Sequence, residues 1–485
     1  MLKFKDFQSR IKKEKNPEVK KGLSLVWKIS QAVKKQGGRS LLVGGFVRDE
    51  LLTKWKKGTP AKDLDLEVYK VKINDLKKII SKYGKVNLVG ESFSVFKLGN
   101  LDISLPRRDS KTGRGHKGFD VKYDIDLSFR EAARRRDFTI NALAYDPLAG
   151  EILDEFNGVA DLKKDLIKAV DPEFFGDDPL RVLRAAQFAA RFNFEIDPET
   201  MAICSQLDLT ELSWERITDE LRKLLLLSQK PSVGFEYLKD LGAIKQLMPE
   251  LQVLIGLEQF EDWHPEGDVW THTLMVIDEA AKLIRRRKLD QEKSEIQMWT
   301  AVVHDFGKAV TTVKEDSGKI RSKGHCEKGV PIAREFLSRL KLSRKIISHI
   351  LPLVKEHLFP ALVGRDCGEA AVRRLAKRLY PSTIEDLLIF TEADHRGRDL
   401  PWDNFPGARA LKKKAEELKL KQKAPKTIFL GRHLLAMDFK VKGQEVLFGQ
   451  IVKSVNEAEL DGEVRTLAQA KKYAKNLARE RGLKK

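Results

Sequence analysis

The sequence predicts a multidomain protein in which an α/β head is followed by wholly helical regions. The chain has 485 residues, which is too long for a single hydrophobic core. Between residues 40 and 154, β-rich runs such as "SLLVGG" and "DLDLEVY" alternate with helical runs such as "VRDELLTKW". Beyond residue 162, apolar residues recur at the three- and four-residue spacing of amphipathic helices. These patterns divide the chain into a basic helical lead-in (1–37), a head (38–155), a helical neck (156–235), a histidine-bearing helical region (236–400) and a basic helical tail (401–485).

Composition and charge indicate a globular protein with an anionic partner. Apolar residues make up 42% of the chain, and the formal net charge is +20. This charge favours nucleic acid as the partner, although general solubility is an alternative explanation. The three cysteines form no CxxC pair, the first residues lack the apolar segment of a signal peptide, and no apolar run approaches the ~20 residues of a membrane span. We therefore expect a soluble cytoplasmic protein with no membrane association.

The head begins with two glycines at a predicted strand–helix turn. In "LLVGGFVRDELL", a strand ends at Gly44-Gly45 and a helix starts near Val47. Glycines at such a turn let backbone N–H groups approach a phosphate without a Cβ in the way. Arg48, one turn into the helix, can add a charge-assisted contact to that phosphate.

An acidic strand follows the glycine turn. In "KDLDLEVYK", strand alternation places Asp63, Asp65 and Glu67 on one face. Two carboxylates at this spacing suit Mg²⁺, which prefers oxygen ligands together with substrate phosphates. Such ions can activate an attacking hydroxyl and stabilise a leaving pyrophosphate. Asp102, in "LDISLP", is a candidate third carboxylate from a neighbouring strand, whereas a structural or surface role is favoured for Glu67.

Six ordered motifs carry a family resemblance. They resemble those of class II tRNA nucleotidyltransferases, the bacterial CCA-adding enzymes and the related bacterial poly(A) polymerases. The resemblance implies a polymerase-β-like nucleotidyltransferase head followed by an all-α neck, body and tail. The motifs are "LVGGFVRD" (42–49), "DLDLE" (63–67), "RRRDFTINALAYD" (134–146), "FNGVADL" (156–162), "DDPLRVLRAAQFAARFNF" (177–194) and "ERITDEL" (215–221).

The resemblance implies roles for residues of the head. Gly45 and Arg48 match the triphosphate-contacting turn of the family. Asp63 and Asp65 match its metal-binding pair, so that Mg²⁺ is the expected cofactor of the head. Arg136 matches an arginine that contacts the incoming nucleotide.

Further roles fall on the neck helix. Asp178 and Arg181 match the pair that reads the base edge of CTP or ATP, and Arg184 matches a further nucleotide-contacting arginine. A carboxylate accepts from an exocyclic amine and a guanidinium donates to ring acceptors, so protein side chains can replace a nucleic-acid template. Two positions depart from the family: Asp177 stands where Glu is usual, and Gln187 often corresponds to Arg.

A Gly- and Lys-rich segment of loop composition covers residues 106–130. Long unstructured loops inside a domain are usually functional. In the family a flexible loop at this position helps to switch the site from C to A addition. By analogy, the segment argues for addition of the full CCA sequence.

A second set of candidate ligands lies between residues 263 and 394. His272, the adjacent His304-Asp305 pair and Asp394 combine imidazole and carboxylate, which together favour a divalent transition metal. Their order resembles the HD phosphohydrolase superfamily, and "HPEGDVWTHTLMV", "HDFGK" and "EADHRGR" resemble the HD domain of some bacterial CCA-adding enzymes. This implies metal-dependent hydrolysis of phosphomonoesters or 2′,3′-cyclic phosphates, with retention of an inactive fold as the alternative.

Two further histidines in this region, His325 and His357, are open to several interpretations. They can bind phosphate, bind a second metal, or have a structural role.

The resemblance implies template-independent addition of C, C and A to tRNA 3′ ends, with CTP and ATP as substrates. The basic body and tail would hold the acceptor arm through phosphate contacts, so affinity should fall as salt rises. Two alternatives remain at this point: a bacterial poly(A) polymerase, and an HD phosphohydrolase whose head only binds RNA.

Overall fold

The protein is described here by a computed structural model covering residues 7–55, 63–89, 95–111, 119–439 and 442–483. Its contacts divide the chain into two compact units, Met1–Leu247 and Met248–Lys485. This division is coarser than the five regions predicted from the sequence, whose internal boundaries remain predictions. The architecture of a mixed α/β head followed by helical regions is as predicted.

The first unit is built on a seven-stranded mixed sheet with the strand order β3-β4-β5-β2-β1-β8-β9. Strands β2 and β5 run parallel, whereas the other neighbouring pairs are antiparallel. The shorter strands β6/β7 and β10/β11 form separate two-stranded ladders. The strands are β1 (Arg39–Val43), β2 (Leu64–Tyr69), β3 (Asn87–Val89), β4 (Val95–Leu98), β5 (Leu101–Ser104), β6 (Arg107–Lys111), β7 (Phe119–Tyr123), β8 (Leu143–Asp146), β9 (Glu151–Asp154), β10 (Leu166–Ile167) and β11 (Glu195–Ile196).

Twelve helices of the described residues accompany this sheet, and three of them, α8, α10 and α11, pack together as a helical layer. They are α1 (Phe7–Lys13), α2 (Pro17–Lys35), α3 (Gly45–Lys54), α4 (Ile73–Ser81), α5 (Phe129–Arg134), α6 (Gly158–Lys163), α7 (Pro172–Phe175), α8 (Leu180–Phe192), α9 (Pro198–Ser205), α10 (Trp214–Leu227), α11 (Pro231–Asp240) and α12 (Ala243–Leu247).

The predicted helical lead-in packs onto the sheet. The side chain of Asn16 caps α2 by accepting from the backbone N–H groups of Glu18 and Val19. Val19, Leu23 and other apolar residues at helical spacing are buried, and α2 contacts β1, β2 and α4. These residues therefore form part of the core that supports the acidic strand.

The segment 106–130 contains regular structure that the sequence analysis did not predict. Strands β6 and β7 pair antiparallel, with Arg107 opposite Tyr123. The expectation of a long unstructured loop is therefore wrong for β6 and β7, because antiparallel pairing gives hydrogen-bond partners to the backbone N–H and C=O groups of both strands. Residues 112–118 lie outside the described part, and the proposed role in switching from C to A addition remains a prediction.

The second unit is almost wholly helical, and α14, α15, α18 and α21 form its centre. No helix among the described residues is long and apolar enough to cross a membrane. Beside one small hairpin, β12 (Val313–Lys314) and β13 (Ile320–Arg321), the described helices are α13 (Pro249–Gln252), α14 (Val269–Arg286), α15 (Gln291–Val303), α16 (Lys308–Thr311), α17 (His325–Arg339), α18 (Arg344–Glu356), α19 (Phe359–Leu362), α20 (Glu369–Leu379), α21 (Ile384–Arg396), α22 (Pro406–Glu417), α23 (Gly431–Leu435), α24 (Glu445–Asp461) and α25 (Leu467–Glu480).

Candidate active sites

The glycine turn connects β1 directly to α3. Gly44 has φ +67°, a conformation that favours glycine, and a Cβ at this position would lie 3.0 Å from Nη1 of Arg136. Helix α3 begins at Gly45. The predicted turn is present, and it directs a helix N-terminus, which attracts anions, toward a cavity.

The acidic strand brings Asp65 beside Asp102. These two residues are Cα partners in the parallel ladder between β2 and β5, so their side chains share one face of the sheet. Burial raises the pKa of Asp65, against the opposing charge of Arg136. Asp102 and Asp63 raise it further, because like charges resist ionisation at close range. A cation between these carboxylates would relieve that repulsion, so the residues fit a divalent metal.

Glu67 shares a face of β2 with Asp65 but differs from it, whereas Asp63 directly precedes this strand. Its side chain is buried and accepts a hydrogen bond from the Tyr69 hydroxyl at 2.7 Å. Arg135 lies 3.3 Å away and Arg136 3.8 Å away. These contacts pair the negative charge of the buried Glu67 carboxylate inside the protein, which favours a structural role for this residue.

All six predicted nucleotide-contacting residues line one cavity of about 440 Å³ in the first unit. The cavity also contains Asp65, which places a candidate metal ligand at the same site. The six residues are Gly45, Arg48, Arg136, Asp178, Arg181 and Arg184.

Arg48 lies in the wall of this cavity and is held by contacts within the protein. It is only 4% exposed and donates to the side chains of Asp49 and Asn141. Its guanidinium also stacks over the rings of Phe188 and Phe192, with centroid distances of 5.1 and 4.8 Å. These contacts fix the wall beneath the glycine turn, so Arg48 is held by the protein while its phosphate contact remains a prediction.

Arg184 belongs to a buried polar network. It donates to Oδ2 of Asp137 from Nε at 2.8 Å, and its Nη1 lies 3.5 Å from Glu220. Burial alone would raise the pKa of Asp137, but Arg184 and a hydrogen bond from Asn141 hold it below its usual range. The sequence did not indicate that Asp137 anchors this arginine.

Asp178 and Arg181 stand at the start of α8. Asp178 accepts from the backbone N–H of Leu180 and from Arg216 Nη2 at 2.8 Å. Arg181 donates to backbone carbonyls of Phe174 and Arg135, at 2.8 and 2.6 Å. Both side chains are thus fixed in position, and the five N–H donors of the guanidinium leave some for a substrate acceptor.

Gln187 lines the same cavity, although it is 1% exposed. Its amide nitrogen has no hydrogen-bond partner among the described residues. A buried donor without a partner is costly, so a nucleotide oxygen in the cavity would satisfy it. The Gln187 amide thus supplies a hydrogen-bond donor at a position where the family that the sequence resembles often has arginine.

The four predicted ligands of the second unit come together in its core. His272 lies on α14, His304 and Asp305 follow α15, and Asp394 lies on α21. Nε2 of His272 lies 3.4 Å from Nε2 of His304 and 3.1 Å from Oδ1 of Asp394. Nε2 of His304 lies 3.2 Å from Oδ2 of Asp305. Packing of these helices therefore converts three distant sequence motifs into one buried cluster.

The protonation of this cluster fits a metal ion. Nδ1 of His304 lies 2.9 Å from the carbonyl oxygen of Ala301, which can only accept. Nδ1 therefore carries a proton, and in the neutral ring Nε2 is an acceptor that lies beside a second imidazole nitrogen and can bind a metal ion. Burial opposes ionisation of Asp394, but Arg398 and His272 hold its pKa well below its usual range. A set of acceptors around one point suits a cation.

Glu266, which sequence reasoning missed, orients this cluster. Oε1 of Glu266 lies 2.7 Å from Nδ1 of His272 and 2.8 Å from Nδ1 of His264. Burial raises the pKa of Glu266, but its hydrogen bond with His264 and its close contact with His272 lower it to about 2. A carboxylate behind a ligating histidine fixes its tautomer and ring orientation. Glu266 lies inside the quoted "HPEGDVWTHTLMV", yet only the fold shows that it contacts His272.

Sequence reasoning also missed two positively charged side chains beside this cluster. Lys308 Nζ lies 2.8 Å from Oδ2 of Asp305, and Arg398 Nη2 lies 3.2 Å from Oδ2 of Asp394. Both residues line a cavity of about 1090 Å³ that reaches the cluster. Positive groups beside the metal ligands can bind an anionic substrate.

Comparison with family models matches three parts of the chain. Residues 40–168 match the poly A polymerase head domain, and residues 193–254 match the probable RNA and SrmB-binding site of polymerase A. Residues 269–396 match the HD domain.

Solved structures share the fold. The Thermotoga maritima CCA-adding enzyme complexed with tRNA has a TM-score of 0.57 at 19% identity, covering 98% of this chain and 99% of that one. The Bacillus stearothermophilus CCA-adding enzyme in complex with CTP has a TM-score of 0.59 at 19% identity, covering 96% of this chain and 99% of that one. The predicted fold class is confirmed.

Relatives at higher identity identify the family. The multifunctional CCA protein of Xanthomonas campestris pv. campestris (strain B100) is 36% identical over 370 residues, which are 74% of this chain and 85% of the relative. That of Actinobacillus pleuropneumoniae serotype 5b (strain L20) is 35% identical over 385 residues, 76% of this chain and 89% of the relative. The chain therefore belongs to the family of multifunctional CCA proteins.

Proposed function

We propose that the head transfers CMP, CMP and AMP from CTP and ATP to the 3′ end of tRNA. The observation that carries this proposal is the cavity that joins the α3 N-terminus, Asp65 and the predicted nucleotide-contacting arginines. In each step the RNA 3′-hydroxyl loses its proton to solvent and its oxygen bonds to the α-phosphorus, the bond from that phosphorus to the bridging oxygen breaks, and pyrophosphate leaves. The solved relatives bound to tRNA and CTP support the same substrates.

The residues of the chain divide this work. Asp63 and Asp65, with Asp102 beside them, would hold Mg²⁺, which prefers oxygen ligands and substrate phosphates. Bound there, Mg²⁺ stabilises negative charge on the reacting phosphate. The N-terminus of α3 at Gly45 would receive the triphosphate, and Asp178 with its neighbours would orient the base.

Nucleotide incorporation tests this proposal. A tRNA lacking its terminal CCA would be incubated with CTP alone, ATP alone, or both, and the products separated at single-nucleotide resolution. We expect two cytidines from CTP and a final adenosine only when both are present. A homopolymer of adenosine without cytidine incorporation would instead identify a poly(A) polymerase.

The second unit supports a second activity. Its buried cluster of His272, His304, Asp305 and Asp394 would hold a divalent transition metal, and Lys308 lies beside it for an anionic substrate. We propose hydrolysis of a phosphomonoester or a 2′,3′-cyclic phosphate at RNA 3′ ends. A metal-stripped protein given single divalent ions should hydrolyse one of these substrates, and no hydrolysis with any metal would contradict this part.

A further inference from the structure

An exposed tryptophan lines the cavity that reaches the HD cluster, which is formed by His272, His304, Asp305 and Asp394. Trp263 is 64% exposed, whereas tryptophan side chains in folded proteins are highly buried on average. Phe260 and Leu362, which is 80% exposed, line the same cavity of about 1090 Å³. Apolar side chains left in solvent as a group beside a polar site are typical of a ligand-binding surface.

Phe260 and a backbone turn hold the indole ring of Trp263 in place. The two ring centroids lie 6.1 Å apart, in an edge-to-face arrangement with an interplanar angle of 86°. The backbone N–H of Trp263 donates to the carbonyl oxygen of Phe260 at 3.1 Å. The turn therefore presents the exposed ring in a defined position.

The segment that carries Trp263 is attached to the HD cluster on both sides of this residue. Before it, the side-chain oxygen of Gln259 accepts from Nζ of Lys308 at 2.6 Å, and Lys308 lies beside the cluster. After it, the ring of His264 packs edge-to-face against that of His272, with centroids 5.0 Å apart. The tryptophan therefore has a fixed position relative to the candidate metal ligands.

Positively charged groups beside the cluster can hold the phosphate of a ligand in the same cavity. Nε of Arg398 is buried and has no hydrogen-bond partner among the described residues. A buried donor without a partner is costly, and a phosphate oxygen in the cavity would satisfy it. Lys308 also lines the cavity. The cavity thus offers cations for a phosphate and an aromatic surface for the rest of the ligand.

The size of the cavity fits a nucleotide. Its volume of about 1090 Å³ is more than twice that of the head cavity, about 440 Å³, for which a nucleotide substrate is proposed. Pockets for organic ligands typically measure about 300–1,000 Å³. A small phosphate ester held beside Lys308 and Arg398 would leave most of this space empty.

We propose that Trp263, supported by Phe260, stacks against the base of the nucleotide whose phosphate is hydrolysed at the HD cluster. Every base has a π-face, so stacking on an aromatic ring recognises a nucleotide without selecting its sequence. This property suits RNA 3′ ends that terminate at different bases. Trp263 thereby narrows the substrate class of the proposed hydrolase, on which this role rests, from phosphate esters in general to nucleotides.

Hydrolysis of matched substrates tests this role. Adenosine 2′,3′-cyclic phosphate and adenosine 3′-phosphate are each compared with the same ester of ribose, which lacks the base. In each reaction the oxygen of water bonds to phosphorus, one bond from phosphorus to a ribose oxygen breaks, and a proton of the water passes to that oxygen. Trp263→Ala should raise KM for the adenosine esters about 5- to 150-fold, the value of one base–aromatic stack. KM for the ribose esters should stay unchanged.

Two further variants control this comparison. Trp263→Phe keeps an aromatic ring and should restore most of the affinity for the adenosine esters. Tyr380→Ala is the matched control, since Tyr380 is 71% exposed in the same unit and does not line the cavity. Equal increases in KM for the adenosine and ribose esters in Trp263→Ala would overturn the proposal, because Trp263 would then only shape the cavity.

Tryptophan fluorescence tests the stack without hydrolysis. The full chain is titrated with a 3′-phosphonate of adenosine, which has no phosphate ester bond to break, and with the same phosphonate of ribose. We expect only the adenosine ligand to quench part of the emission in the wild type and in Tyr380→Ala, and we expect this quenching to disappear in Trp263→Phe. Absence of quenching in the wild type, or its persistence in Trp263→Phe, overturns the proposal. Intact quenching without hydrolysis of any ester would contradict the hydrolase function alone and keep Trp263 as a nucleotide-binding residue.

Discussion

The acidic strand of the first unit and the histidine cluster of the second hold their candidate metal ligands in different ways. Asp63 and Asp65 both reach solvent and Asp65 lines the open cavity, while repulsion from Asp102 and Asp63 adds to burial in raising the pKa of Asp65. His272 and His304 are fully buried, with their Nε2 atoms 3.4 Å apart on neighbouring helices. The first site is open and offers only carboxylate oxygens, whereas in the second helix packing already brings buried ligands together at the bottom of a cavity.

This difference matches the chemistry proposed for each site. A nucleotide brings its own phosphate oxygens to Mg²⁺, so the protein needs to supply only a few carboxylates and an open cavity. A hydrolase that keeps a transition metal needs a full set of ligands and residues behind them, such as Glu266 behind His272. Substitutions of the candidate ligands in the head should therefore lower catalysis. Substitutions of the candidate ligands in the HD domain, or of the residues behind them, should lower metal retention.

The largest expected effect is at Asp65. Asp65→Ala removes the central carboxylate of the open site, and we expect nucleotide addition to fall about a thousandfold, because metal stabilisation of the reacting phosphate contributes several kcal/mol. Single-turnover incorporation measures this change. Asp75→Ala, at a half-exposed acid on α4 that pairs with Lys78, is the control and should keep full activity. Activity within threefold of wild type in Asp65→Ala would remove the metal role from this strand.

The next effect concerns stability of the head. Asp137→Asn leaves Arg184 without its main partner, so the free energy of unfolding should fall by about 3 kcal/mol. Calorimetry of the full chain measures it. The surface pair of the exposed Asp219 and the half-buried Arg222 provides a control, since Asp219→Asn should cost less than about 1 kcal/mol.

The contribution of Asp137 to stability also depends on pH, in a direction that its pKa determines. The folded-state pKa of Asp137 lies below its ordinary value, because Arg184 and Asn141 outweigh the effect of burial. Its contribution to stability is therefore present above about pH 4 and is lost as the pH falls through the folded-state pKa. The melting temperatures of wild type and Asp137→Asn should converge in acid. A constant difference down to low pH would show that the carboxylate charge is not responsible.

A smaller effect is expected at Glu266. Glu266→Gln weakens the fixing of His272, so the affinity of the HD domain for a transition metal should fall about 10- to 100-fold. Isothermal titration with Co²⁺ measures the change, and nucleotide addition should stay at the wild-type level. Glu261→Gln, at an exposed position nearby, should bind metal as the wild type does. Unchanged affinity in Glu266→Gln would show that the ring is oriented without this carboxylate.

The smallest effect is expected at Gln187, where nucleotide binding and protein stability can be measured separately. Gln187→Leu removes a buried donor that has no partner among the described residues, so stability should change little. If the amide contacts the nucleotide, KM for CTP and ATP should rise up to about tenfold, the value of one hydrogen bond. Gln187→Arg should bind at least as well as the wild type. A stability loss without a change in KM would make Gln187 a structural residue.

Local motifs in the sequence were sufficient to predict the elements of the head site. Strand alternation predicted that Asp63 and Asp65 share a face, and adjacent glycines predicted the turn at Gly44. Alternation alone did not separate Asp65 from Glu67, because burial of Glu67 depends on Arg135 and Tyr69 reaching it in the fold.

Long-range contacts explain what the sequence did not show. Asp137 and Arg184 lie 47 positions apart, so their ion pair is visible only once α8 packs beside the residues after α5. The sequence showed only that the cysteines form no CxxC pair, yet α17 and α18 place Cys326 against His325 and His357. A polar residue next to a motif in the sequence is a candidate for the same site, but tertiary packing determines which side chains contact one another.

The central claim is that the chain carries two separate metal-dependent sites, and paired variants assayed for both activities test it most directly. Asp63→Asn/Asp65→Asn should abolish nucleotide addition to tRNA and retain phosphate-ester hydrolysis. His304→Ala/Asp305→Ala should show the reverse pattern. Survival of nucleotide addition in the first pair, or its loss in the second pair with the head still folded, would contradict the account.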